Sequence, residues 1–134
     1  MAYGHIAYVG EGTTPFTMTN PTVIMTVDNV VMLCSDITGV SCASGDTIFT
    51  LPDSSLFPVS KIVRSVYTMN ENTNSFETRR IDINPDGTVT VPLYATAPRT
   101  YYTNGLVFSV NDQYYSSTIG NNDMSLMTTP ISAR

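Results

Sequence analysis

The chain has 134 residues, a formal net charge of −5 and 13% charged residues, whereas globular domains typically have about 25%. Its basic residues form no cluster beyond Arg79-Arg80, which argues against a nucleic-acid-binding protein, and no window approaches the roughly 18 apolar residues of a membrane span. The length predicts one domain, residues 1–134, with a core that needs neither metal nor disulfide staples.

The first third of the chain predicts a short strand, His5–Val9, followed by a hairpin of Thr22–Val27 and Val30–Ser35. Between the two hairpin strands, Asp28-Asn29 suits a two-residue primed turn. That turn would put Val23, Met25 and Val27 on one face with Val30, Met32 and Cys34, and leave Ile24, Val31 and Leu33 on the other. A hairpin that is apolar on both faces needs cover on both, from the core on one side and from a second layer or a subunit interface on the other.

Two cysteines, Cys34 and Cys42, lie eight positions apart across a loop with Gly and Ser. A disulfide between them is sterically possible. We expect two reduced thiols packed as small apolar side chains, because the N-terminal residues lack the basic region and apolar core of a signal peptide. The sequence therefore predicts synthesis in a cytoplasm.

The middle of the chain predicts a strand over Asp46–Leu51 that Pro52 ends, and a long strand over Ser60–Met69. An irregular loop bracketed by Pro52 and Pro58 separates them. The polar turn 70–74 follows the long strand, and it contains no apolar residue.

The strongest local signal is the stretch Arg79–Val91, in which two alternating runs flank Pro85-Asp86-Gly87. Proline presets φ, aspartate bonds its own backbone and glycine adopts a positive φ, so this tripeptide predicts a tight turn. The predicted hairpin pairs Phe76–Asn84 with Thr88–Tyr94. Its period of two puts four β-branched residues on one face: Ile81, Ile83, Val89 and Val91.

The last part of the chain predicts a loop at Pro98 and a final strand over Leu106–Val110. Residues 111–123 are rich in Asn, Ser and Gly, and Met124–Arg134 is weakly patterned. The whole pattern of about eight short strands, with little or no helix, predicts an all-β antiparallel sandwich or jelly-roll-like barrel.

Four features follow one another between residues 45 and 115: Leu51-Pro52 after a strand, the loop with Phe57-Pro58, the hairpin Ile81–Val91 and a closing strand with tyrosine nearby. This order resembles the C-terminal head module of phage receptor-binding proteins, the tail-tip or baseplate proteins of phages that infect Gram-positive bacteria. Two features depart from that family. Residues 1–44 show no heptads or collagen-like repeat ahead of the head, and tryptophan, a common sugar-stacking residue, is absent.

The resemblance implies a jelly-roll head that forms a homotrimer and binds a saccharide on the host cell surface, without enzymatic activity. It places the protein in the virion, at the tail tip or baseplate, beside other virion proteins. Three alternatives stay open: a virion structural, decoration or tail accessory protein that works through assembly, a small β-fold glycosidase, and a bacterial cell-surface adhesin.

Saccharide recognition needs aromatic faces for the C–H side of a sugar ring and fixed polar groups for its hydroxyls. The segments 101–105 and 111–115 combine these residue types, and the candidate ligand-binding residues in them are Tyr102, Asn104, Asp112 and Tyr114. Arg64 is a fifth candidate, because a cation between apolar neighbours in a long strand must find a partner. An ion pair is the competing interpretation for Arg64, and packing is the competing interpretation for each tyrosine.

The residues give little support for catalysis or for a cofactor. The single histidine, His5, lies near the N-terminus, a poor place to position a general acid or base. Turn and strand patterns explain Asp53, Asp82 and Asp86 without a glycosidase carboxylate pair. The oxygens of residues 111–123 follow no calcium-loop pattern, so we expect neither a metal nor any other cofactor.

Overall fold

The computed structural model describes residues 5–111, which form two antiparallel β-sheets and a single 3-10 turn, Ser54–Leu56. The strands of this part of the chain are β1 (Ile6–Glu11), β2 (Thr17–Met18), β3 (Thr22–Thr26), β4 (Val30–Leu33), β5 (Ile37–Cys42), β6 (Thr47–Thr50), β7 (Ile62–Asn70), β8 (Phe76–Ile83), β9 (Thr88–Thr90), β10 (Ala95–Tyr101) and β11 (Val107–Ser109). One sheet has the order β1-β3-β4-β11, and the other, with the order β2-β5-β10-β7-β8-β9-β6, curls into a half-barrel. The predicted all-β antiparallel sandwich is confirmed.

The core lies between the two sheets. The smaller sheet contributes Val23, Val31, Leu33 and Phe108, and the larger contributes Ile37, Ile48, Phe49, Ile62, Ile81, Ile83, Val89 and Tyr101. Complete burial of an Ile or Leu side chain stabilises a fold by roughly 1.5–3 kcal/mol. The half-barrel therefore holds its curvature around a dense β-branched and aromatic filling.

The hairpin of β8 and β9 forms as the Pro-Asp-Gly signal predicts. Gly87 has φ +89°, and its N–H donates to Asn84 O at 2.9 Å. The Asp86 carboxylate accepts from the Thr88 N–H at 3.1 Å, which holds the backbone in place where β9 begins. The four predicted core residues of this hairpin, Ile81, Ile83, Val89 and Val91, are all buried.

The β3–β4 turn differs from the prediction. The strands pair Val23 with Leu33 and Met25 with Val31, so the loop has three residues, 27–29. Asn29 takes φ +66° and donates its N–H to Thr26 O at 3.0 Å, the geometry of a type I turn followed by a left-handed residue. The predicted two-residue primed turn is wrong.

The extra loop residue reverses every side chain of β4. Val31 and Leu33 join Val23 and Met25 in the core, whereas Val30 and Met32 lie on the outer face with Ile24. The predicted grouping of Val30, Met32 and Cys34 with Val23, Met25 and Val27 is therefore also wrong. The expectation that both faces are apolar is unaffected.

Pro98 lies inside β10, whereas the sequence predicted a loop there. The β5–β10 register shifts between Ala95 and Arg99, and pairing with β7 begins only at Arg99. This irregular stretch tolerates a residue without an N–H, and the Pro98 carbonyl still accepts from the Glu71 N–H at 2.8 Å. Strands β2, β5 and β10 were not predicted, because their short or Gly- and Pro-interrupted segments lack a clean alternation.

The other predicted strands form with shifted ends: β1, β6, β7, β8, β9 and β11. Cys34 and Cys42 are free thiols, as expected.

Replacing Gly87 by Ala should destabilise the fold more than replacing Gly45 by Ala. Both glycines have a φ near +88°, where an L-residue costs about 1–2 kcal/mol. A Cβ at position 87 would in addition overlap the ring of Phe57, whereas a Cβ at position 45 meets no atom within 4 Å. Urea unfolding of the two variants measures the difference, and equal losses would show that the Phe57 ring moves aside freely.

Candidate functional site: an aromatic platform on the half-barrel

The site lies on the outer face of the half-barrel, where β7 runs between β8 and β10. Side chains alternate along β7, so Ile62, Val66 and Thr68 are buried while Tyr67 faces outward. The register sets Met69 opposite Phe76 and Tyr67 opposite Thr78. Directly after β10, the Tyr102 N–H donates to Tyr67 O at 3.0 Å and brings a third aromatic side chain to this face.

Four side chains make up the surface that we name the aromatic platform: Tyr67, Met69, Phe76 and Tyr102. The rings of Phe76 and Tyr102 stack with centroids 6.3 Å apart and planes 28° from parallel. The Tyr102 hydroxyl donates to Met69 Sδ at 3.8 Å. These contacts join β7, β8 and the end of β10 through their side chains as well as their backbones.

The platform is open to solvent. Tyr67 is 65% exposed, Phe76 62% and Tyr102 36%. Clustered exposed aromatic side chains forgo the stabilisation that burial would bring, and such patches commonly mark binding surfaces. The platform presents a flat apolar surface and phenolic hydroxyl groups, and the exposed Thr78 of β8 lies beside it.

The structure brings one of the predicted ligand-binding residues to this platform. Tyr102 is part of it, and Asn104 lies two residues further on in an exposed turn, where its N–H donates to Asp36 Oδ1 at 3.0 Å. Arg64 lies on the opposite face of β7, and its Nη1 donates to Val63 O at 3.2 Å. Asp112 and Tyr114 lie outside the described residues.

Sequence reasoning missed three members of the platform: Tyr67, Met69 and Phe76. The available signal was the placement of Tyr67 and Met69 on one face of the long predicted strand. Their meeting with Phe76 and Tyr102 depends on the registers of β7 with both neighbours, which short-range patterns do not specify.

On the inner face of the same strands, an ionic cluster forms around Glu77. Its Oε2 accepts from Arg79 Nε at 2.7 Å and lies 2.9 Å from Arg99 Nη1. The hydrogen bond from Arg79 is the main reason that the pKa of Glu77 is lowered, and the charges of both arginines add to it. Arg80, on the outer face, pairs with Asp82 at 2.6 Å.

Replacing Glu77 by Gln should destabilise the protein at neutral pH and progressively less in acid. A lowered folded-state pKa gives stability that is present above the ordinary glutamate pKa, about 4.3, and lost as the pH falls through the folded value. Urea unfolding of the wild type and the variant from pH 7 to pH 3 measures this convergence. Glu11→Gln is the control, because Glu11 is exposed and has no ion pair with another described residue. If the loss of unfolding free energy caused by Glu77→Gln did not change with pH, the ionic stabilisation that we assign to Glu77 would be contradicted.

The chain matches no protein-family model, and no curated protein is similar enough to count as a relative. Within residues 5–111 there is no helix with the length and hydrophobicity of a membrane span. The same part of the chain has no group of three or more His, Cys, Asp or Glu side chains placed to hold a metal ion.

Proposed function

We propose that the protein is a non-enzymatic receptor-binding head module of a phage, which recognises a host cell-surface saccharide as a homotrimer. The observation that carries the proposal is the aromatic platform, in which Phe76 and Tyr102 stack at the surface beside the exposed Tyr67. The all-β sandwich and the motif order of residues 45–115 support the same function. The protein then works in the virion at the tail tip or baseplate, after synthesis in the host cytoplasm.

The platform has the chemistry that sugar recognition needs. The C–H face of a pyranose packs against an aromatic ring, and hydroxyl groups beside the ring bond the sugar hydroxyls. Those hydroxyls come from Tyr67, Tyr102 and Thr78. Phe76 supplies an apolar surface and has no side-chain group that needs a hydrogen-bond partner. Three such surfaces in a trimer would bind a repetitive cell-wall polysaccharide with far higher avidity than a single surface.

Replacing Phe76 or Tyr102 by Ala should weaken binding to immobilised cell-wall polysaccharide from Gram-positive bacteria about 2- to 10-fold per site, since an aromatic contact contributes about 0.5–1.5 kcal/mol. Tyr94→Ala is the matched control, because Tyr94 is 59% exposed and lies outside the platform. Binding is measured by surface plasmon resonance, after light scattering has given the solution mass.

A trimer that binds polysaccharide and loses binding only in the platform variants is the expected result. A monomer, or affinity equally reduced by Tyr94→Ala, would contradict the proposal.

The second candidate function is virion assembly, and a groove on the smaller sheet favours it. The groove has a volume of about 350 Å³ on the outer face of this sheet, and it is lined by Ile6, Ile24, Thr26, Val30, Met32 and Val107. Ile6 is 50% exposed and Val107 47%, so the apolar lining is open to solvent. Because no charged side chain lines it, the occupant that fits is an apolar surface, which we assign to a second copy of this chain with its low charged fraction of 13%.

If copies associate through the groove, Val107→Asp should dissociate the oligomer, because the carboxylate would be desolvated at the contact. Val59→Asp introduces the same charge at a residue that is 53% exposed and outside the groove, and it should leave the mass unchanged. Light scattering over a dilution series measures both. An oligomer that survives Val107→Asp would exclude this groove as the contact.

A further inference from the structure

The inner-face cluster holds more positive than negative charge. Arg79 and Arg99 share Glu77 Oε2 as their common ion-pair partner, and their side chains are only 15% and 12% exposed. Arg79 Nη1 also donates to the Tyr94 carbonyl at 2.9 Å, which adds a dipole but no negative charge. Two guanidinium groups with one carboxylate leave a net charge of +1 in a largely desolvated place, where an uncompensated charge is costly.

Two buried donors in this cluster have no hydrogen-bond acceptor. They are Arg99 Nε and the hydroxyl of Tyr101, and Tyr101 itself is fully buried. Arg99 reaches Glu77 through Nη1, so its Nε, one donor of the side-on fork that binds planar oxyanions bidentately, is not used. Buried donors normally have a partner, and each exception calls for an explanation.

The strand register places these donors on one face. Thr68 of β7 pairs with Glu77 on one side and with Tyr101 on the other, and Arg99 lies two residues from Tyr101 on β10. The Thr68 hydroxyl already donates to the Glu77 carbonyl at 3.1 Å. The carboxylate of Glu71, directly after β7, accepts from the Gly39 N–H and the Thr100 hydroxyl.

Tyr101 acts as a hydrogen-bond donor in this setting. Burial raises the pKa of its hydroxyl, an effect that the charge of Arg79 and a hydrogen bond from Arg79 to the phenol oxygen only partly oppose. Because a guanidinium can only donate, the phenol proton still has no acceptor. The phenol therefore keeps its proton at neutral pH. Both unused groups of the cluster can donate a hydrogen bond, so an acceptor is the complementary partner.

We propose that this cluster is a binding site for a small oxyanion, a carboxylate or phosphate group, whose oxygens accept from Arg99 Nε and the Tyr101 hydroxyl. A bound water would satisfy the donors but leave the excess positive charge, whereas an oxyanion meets both requirements. Glu77, whose side chain is 43% exposed, forms the solvent side of the cluster. The site lies on the opposite face of the sheet from the aromatic platform and does not depend on saccharide binding there.

The test uses inorganic phosphate and glucuronate as probes, each titrated into the full chain against sodium chloride at constant ionic strength. The expected result is a saturable shift of the Arg99 Nε–H resonance in ¹⁵N NMR spectra and a higher Tm. Saturation by phosphate alone assigns the site to phosphate groups, and saturation by glucuronate alone assigns it to carboxylates. Saturation by both supports a general oxyanion site.

Two variants make the assignment specific. Arg99→Gln removes the Nε–H probe, so its binding is measured by the dependence of Tm on probe concentration, and it should weaken binding at least about 10-fold, as expected for loss of a charge-assisted hydrogen bond. Tyr101→Phe removes only the hydroxyl and keeps the ring in the core, and it should weaken binding about 2- to 10-fold, as expected for loss of a neutral hydrogen bond. Arg80→Gln, the control, removes the same charge from the outer face.

The proposal is overturned if neither probe gives a saturable shift, if Tyr101→Phe binds as the wild type does, or if Arg80→Gln loses as much affinity as Arg99→Gln.

Discussion

The register of β7 with its two neighbours is the constraint on which the rest of the structure depends. Along β7 every second side chain faces the core, and antiparallel pairing with β8 extends over the whole strand. Because the two faces alternate strictly, one set of pairings builds both the aromatic platform and the inner-face ionic cluster. Met69 and Phe76 meet outside, while Thr68 and Glu77 meet inside. A slip of one residue would exchange the two faces and bury aromatic and ionic side chains in the wrong environments.

The half-barrel therefore carries two surfaces of different chemistry. The outer one is aromatic and solvent-exposed, suited to contact with an extended ligand. The inner one concentrates two guanidinium groups around Glu77, and it leaves Arg99 Nε and the Tyr101 hydroxyl without acceptors. Placing unsatisfied donors inside a fold costs stability, so each such group calls for an explanation.

In the smaller sheet, the conformation of one turn residue determines which side chains lie on the outer face. With Asn29 in the left-handed region, the β3–β4 loop gains a residue, and Met32 joins Ile24 on the outer face. Those side chains line the apolar groove, with Val107 from the edge strand β11 completing it. Both sheets thus present apolar residues outward, in keeping with a chain that has few charged residues.

The sequence by itself determined the all-β class and the Pro-Asp-Gly hairpin with its four buried β-branched residues, because these depend on alternation and turn chemistry within a short stretch of chain. It also identified Tyr102 as a candidate. Only the tertiary structure decided the length of the β3–β4 loop, the inclusion of Pro98 in a strand, and the meeting of Tyr102 with Phe76 or of Arg99 with Glu77. Those contacts join residues more than twenty positions apart, and their register is set by how the whole core packs rather than by local preference.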